Sequence, residues 1–242
     1  AEPFVFKTKE IEIRNEGNLV LAKDGKALSV DNNLEIEAEN YEYYKDLDLL
    51  KAYNGIALIK SDNLEIEFNE IEIDQKNSTF IAKNNVKIFE RKKKLIIETN
   101  AINYNYNSKI LESKTQSILK DQFNNIFDTQ KFSYDVNKNI LKIQNANLKD
   151  IKNNNFYVDL AFINTSSNKM FGKDIEIDLN NETFNQDNEP RIKGNSIVYE
   201  NDYTEITKGV FTTCKKNDSC PPWQLSAEKI QHDKKKQIIN YK

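Results

Sequence analysis

Apolar and polar residues alternate along this chain with a period of two, and the alternation itself repeats. Three segments align: "DNNLEIEAENYEY" from Asp31, "SDNLEIEFNEIEI" from Ser61 and "KKKLIIETNAINY" from Lys92. Leu34, Leu64 and Leu95 share one place, and Ile36, Ile66 and Ile97 the next. Further on, Tyr41, Ile71 and Ile102 correspond, then Tyr43, Ile73 and Tyr104. Alternation of this kind marks half-buried β-strands. Each segment also slips parity once. Leu34, Ile36 and Ala38 are even and Tyr41 and Tyr43 odd, with the same slip from Phe68 to Ile71 and from Thr99 to Ile102. A bulge or corner at the slip keeps both halves facing one interior.

A second strand belongs to each unit of about thirty residues. "LAKDGKAL" from Leu21, "KAYNGIAL" from Lys51 and "IAKNNVKI" from Ile81 superpose with Ala22, Ala52 and Ala82 in register. Gly25, Gly55 and Asn85 follow, residue types that accept positive φ. Each unit therefore reads as strand, tight turn, strand, turn, strand. Later units are looser. "QKFSYDV" from Gln130, "VDLAFINT" from Val158, "GKDIEIDL" from Gly172, "KGNSIVYE" from Lys193 and "AEKIQHD" from Ala227 read as further strands. Asn, Asp and Ser punctuate them as turn residues. No stretch carries a 3.6-residue period.

Units that cannot bury a face alone must stack. A β-helix, a sandwich and an open jelly roll all satisfy that demand. Alternation with short polar turns favours antiparallel strands. The expected fold is thus all-β, an elongated antiparallel β-jelly roll of two facing sheets. A single domain over residues 1–242 is expected, with "NNETFNQDNEPR" from Asn180 as the best candidate for a long loop or seam.

Composition narrows the function. A net charge of -3 with 30% charged residues gives no global field for nucleic acid, so no nucleic-acid partner is expected. No run of about 18 apolar residues exists to span a membrane as a helix. The opening "AEPFVF" reads equally as a mature secreted N-terminus or as a cut boundary. One histidine excludes a histidine-pair zinc site, and a Ser-His-Asp triad would rest wholly on His232. With six glycines there is no phosphate-cradling glycine loop. No catalytic residue, cofactor or metal is assigned, and the chain is not expected to be an enzyme. His232 reads as an exposed residue of the turn before "DKKK". That run and "ERKKK" from Glu90 read as solvated hairpin turns, with contact to lipid phosphates as the functional alternative.

The apolar interior is the better candidate. Long open β-structures with an apolar inner face hold acyl chains, each buried methylene contributing about 0.8 kcal/mol. The alternation places Ile36, Tyr41, Ile66, Phe68, Ile71, Ile97, Ile102, Phe132 and Tyr134 inside. They line either a lipid-binding interior or a dry core.

The repeat, with "KAYNGIALIKSDNLEIEFNEIEI" as its clearest unit, resembles the OstA-type β-jelly roll family of lipopolysaccharide transport over residues 15–240. The stretch "YTEITKGVFTTCKKNDSCPPWQLSAEKIQHDKKKQIINYK" is similar to the end of the periplasmic domain of the LptD family, the outer-membrane lipopolysaccharide-assembly proteins. The resemblance implies transport rather than catalysis, with acyl chains carried through the interior. It implies lipopolysaccharide as ligand and an LptA-like jelly-roll bridge protein at the N-terminal edge. It further implies a C-terminal barrel with an LptE-like plug lipoprotein, beyond a chain read as truncated at Lys242. The location implied is the periplasmic face of the outer membrane. In the family a cysteine at the position of Cys214 forms a disulfide to the barrel's C-terminal part. Here Cys220 is extra, and Cys214 with Cys220 is the other pairing. Pro221, Pro222 and Trp223 would shape a turn, with Trp223 packing into the end of the core. A soluble bridge protein of the same fold and a β-helical glycan-binding protein or enzyme are the competing readings.

Overall fold

Alternation becomes seventeen strands among the described residues of a computed structural model. The residues described are 4–31, 33–180, 188–200, 202–217, 223–233, 235–236 and 238–242. The strands are β1 (Phe4–Arg14), β2 (Leu19–Ser29), β3 (Leu34–Tyr44), β4 (Leu49–Ile59), β5 (Leu64–Asp74), β6 (Thr79–Glu90), β7 (Leu95–Asn105), β8 (Ile110–Ser113) and β9 (Ser117–Lys120). They continue as β10 (Ile126–Asp135), β11 (Ile140–Lys149), β12 (Asn155–Asn164), β13 (Lys169–Asp178), β14 (Arg191–Glu200), β15 (Tyr203–Thr212), β16 (Leu225–Asp233) and β17 (Ile238–Tyr241). No α-helix occurs among the described residues; only short 3-10 turns join three of the strand pairs. The fold is all-β and antiparallel, as the alternation predicts.

Two compact units divide the chain. The first holds residues 1–119 and 133–138, and the second residues 120–132 and 139–242. The polar stretch from Asn180 lies within the second unit, and residues 181–187 lie outside the described residues.

In the first unit β1 to β8 pair antiparallel in chain order. Each long strand bends at its middle. The inner-face residues Leu34, Ile36, Ala38, Tyr41 and Tyr43 are all buried, across the predicted parity slip. The ladder skips Asp24, Glu39 and Asn54 at that level. The bend itself is made by Asp24 (φ 51) in β2, Asn54 (φ 53) in β4, and Asn84 (φ 62) with Asn85 (φ 54) in β6. Short polar side chains tolerate this left-handed region where other residues clash.

This corrects one expectation. "KDG" and "YNG" are not tight turns between strands; each is a corner inside a single strand of 11 residues. Asn85 has the predicted positive φ, but at the other two corners the residue before the glycine carries it. Gly25 and Gly55 are required for close approach instead. A Cβ at Gly25 would stand 2.2 Å from Lys7 O, and one at Gly55 2.2 Å from Glu37 O. Tyr41 secures the corner from within. Its buried hydroxyl lies 2.7 Å from Gly25 O and 2.9 Å from Ile36 O, two carbonyls that accept at the bend. Burial pushes that hydroxyl's pKa well above the ordinary tyrosine value.

The second unit repeats the scheme. Strands β11 to β17 pair antiparallel in chain order. Its corners are Asn145 (φ 48), Asp174 (φ 52) and Lys208 (φ 49). Leu141, Ile143, Phe156, Val158, Ile163 and Ile175 fill its interior.

Candidate functional site

A strand folded at its middle brings its two ends toward the same side, so the turns fall into two rows. Turns of one row stack by backbone hydrogen bonds. Lys45 N donates to Asn18 O at 2.9 Å and Tyr106 N to Ser78 O at 2.9 Å, and in the second unit Thr165 N donates to Asn139 O at 2.9 Å. The other row stacks through Lys60 N to Asn33 O at 2.9 Å and Arg91 N to Asn63 O at 3.0 Å. In the second unit Asn180 N donates to Asn154 Oδ1 at 2.9 Å. Where the rows face each other the interior has a seam.

The seam of the first unit is clasped by Asp62, whose side chain is 5% exposed. One carboxylate oxygen accepts a short hydrogen bond from Tyr104 Oη and lies 2.9 Å from Lys109 Nζ. Asp62 belongs to one row, Lys109 to the other. Behind the clasp Tyr104, Phe80 and Tyr106 pack with ring centroids 5.2 to 5.7 Å apart. Burial, with the Asp62 carboxylate alongside, raises the Tyr104 hydroxyl far above its usual range.

In the second unit the rows touch and then part. Two loops of one design approach the seam. Asp121 accepts from Phe123 N, Asn125 N and Asn125 Nδ2, each at 2.9 Å. Asp150 accepts from Lys152 N, Asn154 N and Asn154 Nδ2, also at 2.9 Å. Burial outweighs these bonds at Asp121 and raises its carboxyl above the usual range. The first loop crosses the seam, with Asn125 Nδ2 3.1 Å from Asn168 Oδ1 and Gln122 Nε2 2.7 Å from Thr165 O. Beyond it, both rows border a cavity of about 560 Å³. Its walls include Phe156, Ile177, Ile192, Tyr199, Ile206 and Ile230, with Phe123, Ile151 and Leu179 nearer the loops. Asn154, Thr204 and His232 supply polar groups to the lining. Burial raises the Tyr199 hydroxyl.

Sequence reasoning placed nine residues inside, and all nine are buried: Ile36, Tyr41, Ile66, Phe68, Ile71, Ile97, Ile102, Phe132 and Tyr134. None of them lines this cavity. The lining residues were legible as inner-face positions of β12 to β16, but not as the walls of open space. His232 requires a correction. It is not an exposed turn residue but the eighth residue of β16, two places after Ile230 on the same face, paired with Thr204 and half-buried in the cavity wall. The alternation runs on through the histidine before the turn begins.

The cysteine segment is partly described. Cys220, Pro221 and Pro222 lie outside the described residues. Cys214 N donates to Thr212 Oγ1 at 3.2 Å, and Arg191 Nη1 donates to Cys214 O. Trp223 does not enter the core as expected. It remains 47% exposed, edge-on to Phe211 with centroids 5.8 Å apart. The "ERKKK" run is a hairpin turn capped by buried Glu90, which accepts from Lys93 N at 2.5 Å; in "DKKK", where Lys234 lies outside the described residues, Asp233 Oδ1 accepts from Lys235 N at 3.1 Å and Lys236 N at 3.0 Å. Among the described residues no cluster of His, Cys, Asp or Glu is placed to hold a metal ion, and no helix is long and apolar enough to cross a membrane.

No protein-family model and no curated protein matches the chain. Among solved structures it is similar to the crystal structure of LptH, the LptA-homologous periplasmic component of the conserved lipopolysaccharide transport device from Pseudomonas aeruginosa. The identity is 14% and the TM-score 0.38, over 43% of this chain and 80% of that one. Likeness at this level carries no argument about function.

Proposed function

We propose that the chain is a periplasmic lipopolysaccharide-transport jelly roll of LptD type, whose interior seats acyl chains on their way to the outer membrane. The carrying observation is the cavity of about 560 Å³ at the parted seam of the second unit, walled mainly by apolar residues, with polar groups from Asn125, Asp150, Lys152, Asn154, Thr204 and His232 at its border. That volume falls within the roughly 300–1,000 Å³ usual for ligand sites. An apolar space of roughly 150 Å³ already takes up benzene. A segment of acyl chain in this cavity gains about 0.8 kcal/mol per methylene removed from water. Polar headgroups of the lipid stay outside, beside Asn154 and His232.

The nine buried positions named from the alternation would form the path through the denser parts of the interior, open to lipid once strands part along the seam. The N-terminal edge supports an LptA-like partner. Ile11 and Ile13 in β1 lie on the inner face, opposite Ala22 and Val20, yet are 54% and 62% exposed. A further strand from a similar jelly roll would cover them. A C-terminal barrel, its LptE-like lipoprotein and a disulfide of Cys214 complete the reading.

The test is displacement. Purified chain is loaded with a fluorescent fatty acid, and lipopolysaccharide is titrated in. Displacement that is weakened by Ile206→Trp, which fills the cavity, supports the reading. Equal displacement by the isolated, acyl-free core oligosaccharide refutes it.

A further inference from the structure

The outer face of the second unit carries an apolar row that the first unit lacks. Cross-strand register aligns Lys142 of β11 with Phe162 of β12, Phe171 of β13 and Val198 of β14. All point away from the interior. Phe162, Phe171 and Val198 are 38%, 49% and 37% exposed. Such residues singly are ordinary, but three in contiguous register form a patch. Three lysines frame it. Lys142 Nζ stands 5.8 Å from the Phe162 ring centroid. Lys169 and Lys173 flank Phe171 along β13, Lys169 paired with Glu200 at 2.9 Å. At the same level of the first unit the row reads Leu21, Glu42, Lys51, Glu72 and Ile81, where charges of both signs interrupt the apolar positions.

We infer that this face of the second unit docks on a lipid bilayer surface bearing anionic headgroups. Aromatic rings flanked by lysines match the two layers of a bilayer interface: rings enter the headgroup and acyl boundary while ammonium groups meet phosphates. Each lysine near an anionic surface strengthens binding about fivefold. Glu200 offsets Lys169, and Glu205, next in register after Val198, is offset by Lys229, so Lys142 and Lys173 leave net positive charge beside the rings, which favours such a surface over a purely apolar protein partner. The inference stands apart from the acyl cavity, which opens on the inner face.

The test places the fluorophore in the patch. In a Trp223→Phe background of the full chain, Phe171→Trp is compared with Ile81→Trp, the corresponding position in the first unit. Each is mixed with brominated phosphatidylglycerol vesicles and with phosphatidylcholine vesicles. Expected is quenching at 171 and not at 81, strongest with phosphatidylglycerol and reversed by salt. Phe162→Ser with Phe171→Ser should weaken vesicle binding about tenfold, and Lys142→Glu with Lys173→Glu, which removes two lysines and reverses their charge, by more than about thirtyfold. Equal quenching at both positions, or no binding to either vesicle, overturns the proposal. So does self-association that the Phe162→Ser/Phe171→Ser variant abolishes, which would assign the face to a second copy of the chain. Circular dichroism of each variant separates lost docking from lost folding, and the charge variant leaves the apolar contacts in place.

Discussion

Removing the Asp62 carboxylate should unlock the first unit. Asp62→Ala takes away the acceptor of the buried Tyr104 hydroxyl and the partner of Lys109. A buried hydroxyl left without its bond costs about 1–3 kcal/mol. Breaking a fully buried ion pair costs about 3–5 kcal/mol. Lys109 is 23% exposed and can turn to water, so the lower end applies, about 3 kcal/mol in all. Asp62→Asn keeps an acceptor for Tyr104 and loses only the charge, for about 1 kcal/mol. Hydrogen exchange read by mass spectrometry locates the effect. Because 1.4 kcal/mol is a factor of ten, amides of β5 to β8 should exchange about a hundredfold faster in Asp62→Ala. The strands of the second unit should be unchanged. A loss below about 0.5 kcal/mol, or protection lost evenly over both units, would refute the clasp.

Other consequences follow from the corners and the outer face. Gly55→Ala would drive a Cβ to 2.2 Å from Glu37 O and 2.6 Å from Ala38 Cβ, so it should cost more than about 3 kcal/mol and lower the melting temperature by about 6 °C or more. Tyr41→Phe should destabilise by about 1–3 kcal/mol in urea titration, since two corner carbonyls lose their donor. Glu205 accepts from Tyr203 Oη at 2.6 Å, Gln231 Nε2 at 2.8 Å and Lys229 Nζ at 2.9 Å, and these bonds hold its carboxyl at about 2. A folded value below the unfolded one means the network's contribution is present above about pH 4.3 and fades as pH falls toward 2. Carbon-13 titration of Glu205 should therefore show no midpoint near 4.

The sequence disclosed the strands because burial on one face forces a period of two. The parity slip likewise announced the corner, since Ala38 and Tyr41 cannot share an interior along a regular strand. It did not disclose which residue bends. Asp-Gly and Asn-Gly signal a hairpin turn as readily as a mid-strand corner. Only the neighbouring strand, 2.2 Å from the missing Cβ, reveals why the glycine is there. His232 was misjudged because the charged run after it outweighed one more step of alternation. The cavity was invisible for a different reason. Ile192, Ile206 and Ile230 follow the same alternation as the dense first unit, and a void is the absence of a partner, which no local pattern records.

The most direct measurement is site-specific photo-crosslinking in cells that depend on this protein. A photoreactive residue is placed at Ile206 and at Ile230 in the cavity wall, at Ile97 in the dense interior, and at outward-facing Lys149. The account predicts lipopolysaccharide adducts at 206 and 230, none at 149, and adducts at 97 that increase when Asp62→Asn loosens the clasp. Folded protein that yields no adduct at 206 or 230, or as many at 149, would contradict it.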